Sequence, residues 1–184
     1  MPDEKLNNEL KDEVAQIMQS VITRTRAHFE GEFGVGVTEA NCNAGRLDTL
    51  TLLDMTAIIG MGGAVNLLIA FSFQEGLINA MYERMTDGLG IQPDEVDMYR
   101  EAAAGEVVNT ILGHCTIDLQ ELDRRGIAMT PPVILDRVKT IRRMKDAMFY
   151  TQNLDTALGC MTISLVGPRE LFNTNLEYVA EGSS

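Results

Sequence analysis

Glu106 and Asn109 stand three residues apart in a stretch whose apolar pattern is helical, so they are neighbours on one side of a helix. A carboxylate beside a carboxamide can do two things. The carboxylate can pair with a cation and fix a partner in register. The carboxamide both donates and accepts hydrogen bonds, so it can orient a water with no pKa to tune. Ala102, Gly105 and Gly113 beside them have little or no side chain, which would let a partner approach the helix closely. The same residues also read as an ordinary solvated helix face, because a Glu-x-x-Asn spacing alone is common.

The helix that carries the pair is legible from its ends. Asp94 follows Pro93 and suits an N-cap, and Glu95 and Asp97 suit the positive end of the helix dipole. No proline follows until Pro131, and Gly126 after Arg124 and Arg125 gives a stop, so a helix is expected from about Asp94 to Arg125. At about 100° per residue, Ala104, Val107, Val108, Ile111, Cys115, Leu119 and Leu122 form one broad apolar face. Ala102, Glu106, Asn109 and Gly113 fall on roughly the opposite side.

With its surroundings, this pair resembles the signature of the CheC/CheX/FliY family of bacterial chemotaxis phosphatases. That signature is an acid or serine, three residues, Glu, two residues, Asn, twenty-two residues, then Pro. Glu106 and Asn109 match, and twenty-two residues separate Asn109 from Pro132. The acid-or-serine position falls on Ala102 and departs from the pattern. The likeness spans roughly residues 10–168, and one motif on the second long helix is the CheX-like arrangement. Glu13 and Gln16 echo it in the first helix, but Glu39 stands where the proline would be, and they read as solvated positions. The resemblance implies an enzyme, a hydrolase that removes the aspartyl phosphate from a CheY-like response-regulator receiver domain. Glu106 and Asn109 would be catalytic, with Ala102, Gly105, Gly113 and Pro132 in the binding surface. It implies no cofactor or metal on this chain, Mg2+ on the receiver, and a homodimer. A noncatalytic receiver-docking module of the same fold is the alternative, and the departure at Ala102 keeps it open.

Composition bounds the rest. The 184 residues, 45% apolar and 23% charged, suit a single domain over 1–184 with a good core. A net charge of -12 argues against nucleic acid and against anionic lipid as partners. Cys42, Cys115 and Cys160 form no metal-ligand spacing and cannot all pair within one chain, which fits a reducing cytoplasm. His28 and His114 belong to no metal motif, and no basic-then-apolar start reads as a signal peptide. Residues 55–73 carry no charge and approach transmembrane length, but Gly60, Gly62 and Gly63 interrupt them and an alternation follows. Two strands and a glycine turn are expected there, not a membrane span.

In chain order, a first helix is expected from Asp3 to about Phe29, with Leu6, Leu10, Val14, Ile17, Met18 and Val21 inward. Strands are expected from Val35 to Asn41, from Leu47 to Ile59, and on to Phe73. A short helix over Gln74–Thr86 carries Leu77, Ile78, Met81 and Met85. After the motif helix come strands at Thr130–Leu135, Val138–Tyr150 and Ala157–Val166, the last two turning near Asn153, Leu154 and Asp155, and a loose tail from about 175. The order helix, three strands, helix, helix, three strands is α+β: a mostly antiparallel six-stranded sheet with long helices on one face. Five of the fifteen basic residues, Arg137, Lys139, Arg142, Arg143 and Lys145, crowd into 137–145. They read as edge-protecting charges or as a patch that steers an acidic partner.

Overall fold

A computed structural model of the chain describes residues 2–45, 49–62, 67–122, 127–137, 140–142 and 147–168. Helix α1 (Pro2–His28) runs into a π-helical turn, Phe29–Phe33, and ends at Gly34, whose φ of 66° is a conformation glycine adopts without strain. Strands β1 (Thr38–Gly45), β2 (Thr49–Thr51), β3 (Met55–Gly62) and β4 (Leu67–Phe73) follow, then α2 (Glu75–Thr86) and α3 (Val96–Leu122). The chain continues through β5 (Ala128–Met129), β6 (Val133–Asp136), β7 (Thr140–Arg142), β8 (Ala147–Thr156) and β9 (Gly159–Pro168). The expected α+β class and the run of helices and strands are found.

The main sheet is antiparallel with order β1-β8-β9-β4-β3-β5, and β6 also pairs with β3. Among the described residues it has seven strands, not six, because the strand expected over Thr130–Leu135 forms only from Val133 and a further short strand, β5, precedes it. Pro131 and Pro132 cannot donate to a ladder, so pairing stops at Met129 and resumes at Val133. Thr130 bridges the break: its N–H donates to the Gly60 carbonyl at 2.9 Å, and its hydroxyl accepts from the Gly60 N–H at 2.9 Å.

Two other expected strands are divided. The strand expected from Leu47 to Ile59 breaks at the Asp54 bend, and the one expected from Val138 to Tyr150 yields β7 and β8. Their detached halves, β2 and β7, pair as a separate ribbon. Leu50 and Leu52 then pack with Phe149, Leu135 and Val166 in a small second core. The β8–β9 turn lies at Ala157–Leu158, not at Asn153–Asp155, which are inside β8. The Thr156 hydroxyl closes that turn, accepting from Leu158 N–H at 3.1 Å and donating to the Gly159 carbonyl at 2.7 Å.

The helices cover the sheet face that carries Met55, Ala57, Ile59, Ile69, Phe71, Phe73, Ile163 and Leu165, all buried. Val14, Ile17, Met18 and Val21 of α1 are buried as expected; the side chains of Leu6 and Leu10, and the tail, lie outside the described residues. The uncharged run 55–73 forms the antiparallel pair β3 and β4; Gly63 lies outside the described residues. Among the described residues no helix is long and apolar enough to cross a membrane.

Helix α2 is seated against the β8–β9 turn. Gln74 N–H donates to the Cys160 carbonyl at 3.0 Å, and Cys160 N–H donates to Gln74 Oε1 at 2.9 Å. Asp54 Oδ2 accepts from Glu75 N–H at 2.9 Å, satisfying a free donor of the first turn. This seat needs Gly76, where a Cβ would stand 2.1 Å from the Leu158 carbonyl oxygen, a backbone atom that cannot swing aside. Gly76→Ala should therefore lower stability by about 1–3 kcal/mol, the usual cost of overpacking. Urea unfolding checks this, and an unchanged midpoint would contradict the close seat.

Candidate functional site

Helix α3 is built from two unlike sides. Ala104, Val107, Val108, Ile111, Cys115 and Leu119 are buried, as the period predicts, together with Ala103 and Leu112. The expected Leu122 contribution lies outside the described side chains. The helix starts at Val96, so the expected capping region from Asp94 is a turn, with Tyr99 N–H donating to the Glu95 carbonyl at 3.1 Å. Residues 123–126, including Arg124, Arg125 and the expected stop at Gly126, lie outside the described residues.

On the opposite side Ala102, Glu106 and Asn109 are exposed. Among the described residues none hydrogen-bonds or pairs with the Glu106 or Asn109 side chain, so both are available to a partner. Around the helix, Met98, Ala102, Asn109, Gly113 and Thr116 lie within about 60° of one another, and Glu106 adds the strip's one charge. The shelf is open at Gly113, where a Cβ would meet nothing within 4 Å. At Gly105 it is not: that residue is buried, and Pro132 Cγ and Ile134 Cδ1 lie 3.5 and 3.7 Å from where its Cβ would be. Gly105 and Pro132 thus meet across 27 residues of chain, and the contact seats α3 on the proline loop that Thr130 anchors to β3.

Two ties hold α3 laterally. Arg24 of α1 forks onto Asp118, its Nε donating to Oδ2 at 2.6 Å while its Nη2 pairs with Oδ1. Arg100 pairs with Glu75 of α2 at 2.6 Å. Burial pushes the Cys115 thiol up to about 11, which leaves it protonated and unreactive. Among the described residues no group of three or more His, Cys, Asp or Glu side chains could hold a metal ion. The side chain of Glu13 lies outside the described residues; Gln16 is exposed on α1. In the basic stretch Arg137 is exposed, whereas Lys139, Arg143, Lys145 and the Arg142 side chain lie outside the described residues.

The sequence pattern did not reveal a groove of about 290 Å³ beside the pair. It is lined by His28, Glu32 and Phe33 from α1 and its π-helical extension, Arg84 and Met85 from α2, and Glu106, Val107, Thr110 and His114 from α3. These residues come from three elements up to 86 positions apart, so no local period could have joined them.

Kinship with known proteins agrees with this geometry. The sequence model of the family described as chemotaxis phosphatase CheX matches residues 55–154, more than half of the chain, and the match includes Glu106, Asn109 and Pro132. The chain belongs to the CheX family. No curated protein matches it. Among solved structures, it is similar to a CheX chemotaxis protein from Desulfovibrio desulfuricans, at 21% identity over 81% of this chain and 97% of that one, with a TM-score of 0.69. It is also similar to the CheX–CheY–BeF3–Mg2+ complex from Borrelia burgdorferi, at 14% identity over 85% and 99%, with a TM-score of 0.61. FliY from Thermotoga maritima shares the fold at 12% identity over 96% and 98%, with a TM-score of 0.55. At these identities the structures establish a common fold and the family match establishes membership.

One titratable group in the groove has a readable consequence. Burial lowers the pKa of His28 from its ordinary 6.5, with Glu32 opposing and His114 adding to the effect. Below about pH 6.5 the unfolded chain therefore binds more protons than the folded one, and stability falls on acidification from there. Asp118, held low chiefly by its bond to Arg24, loses its contribution only as pH falls below 3.8, so the two windows separate. His28→Gln should flatten the decline that sets in below about pH 6.5 in urea titrations. An undiminished slope in that variant would assign the decline elsewhere.

Proposed function

We propose that this CheX-family chain dephosphorylates the aspartyl phosphate of a CheY-like response-regulator receiver domain, with Asn109 and Glu106 as the working pair. The observation that carries this is Glu106 and Asn109, exposed and without a partner among the described residues, on a helix whose other side is the core. Family membership and the likeness to the Borrelia CheX–CheY complex support the partner class.

Phosphoryl transfer to water needs a water in line with the scissile bond, and positioning does most of the work. Asn109 would enter the receiver's pocket, accept from the water and donate to a phosphoryl oxygen. Water attacks phosphorus, the bond to the aspartyl oxygen breaks, and inorganic phosphate, the free carboxylate and a proton result. Glu106 would pair with the receiver's active-site lysine and set the register of α3. Mg2+ belongs to the receiver in this scheme, and the phosphorylated nucleophile is the receiver's own aspartate. The nearly uncharged strip around Asn109 suits an acidic pocket, which a chain of net charge -12 would otherwise repel. Ala102 offers no hydrogen bond at the motif's first position, so Asn109 and Glu106 would carry the chemistry alone. Ala102 and Gly113 would serve as clearance, and Gly105 with Pro132 as the seat of α3.

The same reading extends to assembly. Among the described residues strand β1 closes one end of the sheet and pairs on one side only, with β8, and such an edge favours a symmetric homodimer. Light scattering at micromolar concentration should return twice the 20.3 kDa chain mass; a strictly monomeric mass would exclude the dimer.

Asn109→Ala should lower receiver dephosphorylation by about tenfold to a thousandfold while leaving the unfolding midpoint unchanged, because the residue is exposed. Glu106→Ala should weaken receiver binding at least as much as turnover. Full activity in a folded Asn109→Ala protein would remove the mechanism, and a pure rate defect in Glu106→Ala would remove the anchoring role.

A further inference from the structure

Met85 departs from the pattern that governs the rest of its helix. Leu77, Ile78 and Met81 of α2 are fully buried, yet Met85, one turn beyond Met81 on the same stripe, is 41% exposed. It stands at the groove that Glu106 also lines, with Phe33 and Val107 as the other apolar walls. The walls are held in place: Arg84 Nε donates to the Glu32 carbonyl at 3.1 Å, tying the end of α2 to the π-helical turn. Phe29 and Phe33 pack with ring centroids 5.1 Å apart, with the His28 ring edge-on to both, at 6.0 and 5.8 Å.

Size and polarity narrow the occupant. A volume of about 290 Å³ is at the floor of the roughly 300–1,000 Å³ range of small-molecule sites, so it suits one inserted side chain better than a cofactor. Depression of the His28 pKa by burial keeps that wall uncharged at neutral pH. The groove is continuous with Glu106, so whatever pairs with Glu106 must also cover its mouth.

We propose that this groove is a specificity socket that takes an apolar side chain from the rim of the receiver's phosphorylation pocket, beside the lysine that pairs with Glu106. The proposal rests on the phosphatase reading above and deepens it: Asn109 does the chemistry, Glu106 sets the register, and the Met85 groove selects which receivers dock. A receiver with a charged residue at that rim position would lose part of its hydration against Phe33, Met85 and Val107 and bind poorly.

The test compares wild type with Met85→Glu, Met85→Leu and Leu68→Glu. Leu68 is a 39% exposed apolar residue on the opposite sheet face and serves as the control. Purified CheY-like receivers from the same genome are charged with beryllofluoride for binding and with acetyl phosphate for turnover. Met85→Glu should raise both Kd and KM about tenfold or more, the effect of about 1.4 kcal/mol, while kcat at saturation changes less than about twofold. Met85→Leu and Leu68→Glu should match wild type. Unchanged Kd and KM in Met85→Glu, with wild-type turnover intact, would overturn the socket and leave the phosphatase reading standing. Wild type that binds a receiver but does not hydrolyse its phosphate would overturn the phosphatase reading, and the Kd of Met85→Glu would still decide the socket. Loss of a dimer in Met85→Glu at unchanged receiver affinity would assign the groove to a second copy and overturn the proposal.

Discussion

Everything in this molecule depends on how α3 divides its circumference. One side must be buried, because Val107, Val108, Ile111 and Leu112 each gain on the order of 1.5–3 kcal/mol by leaving water. That burial fixes the rotation of the helix about its axis. Once the rotation is fixed, Glu106 and Asn109 have nowhere to point but outward. Both side chains are exposed, and the packing of the buried side sets the position of the backbone that carries them. A water-positioning amide needs such a platform, since a misplacement of about an ångström can cost a hundredfold in rate.

The second fixed point is the Gly105–Pro132 contact. Rotation and tilt of α3 are set by the sheet and by α1 and α2, through Arg24–Asp118 and Arg100–Glu75. Its seat along the sheet is set by the proline loop, which cannot pair as a strand and so leans on the helix where glycine leaves room. The same two prolines split one strand position into β5 and β6. A single sequence feature thus shapes both the sheet edge and the bed of the site.

Much of this was legible before any coordinates. The 3.6-residue period placed α3 and its buried side, the period of two identified β4, and the Glu-x-x-Asn to Pro spacing carried the resemblance to the family. What was not legible has physical causes. Alternation reports that a segment is extended, not which partner it takes, so the detachment of β2 and β7 into their own ribbon was invisible. The β8–β9 turn was placed too early because Asn153 and Asp155 are turn formers locally. In the fold Asn153 Oδ1 instead accepts from the Thr162 hydroxyl at 3.1 Å across the ladder. The groove beside Glu106 unites residues from three elements, which no local pattern encodes. Met85 carried the one available signal in reverse: it continues an apolar stripe but is not buried, and such local exceptions gather at functional surfaces.

The most direct measurement is the time course of phosphate loss from an acetyl-phosphate-charged CheY-like receiver, after removal of the acetyl phosphate, with and without catalytic amounts of the wild-type protein. The expected result is loss faster than from the receiver alone, through multiple turnovers and saturating as receiver concentration rises. A receiver that binds the protein yet loses phosphate at its own intrinsic rate would contradict the phosphatase and leave a docking module in its place.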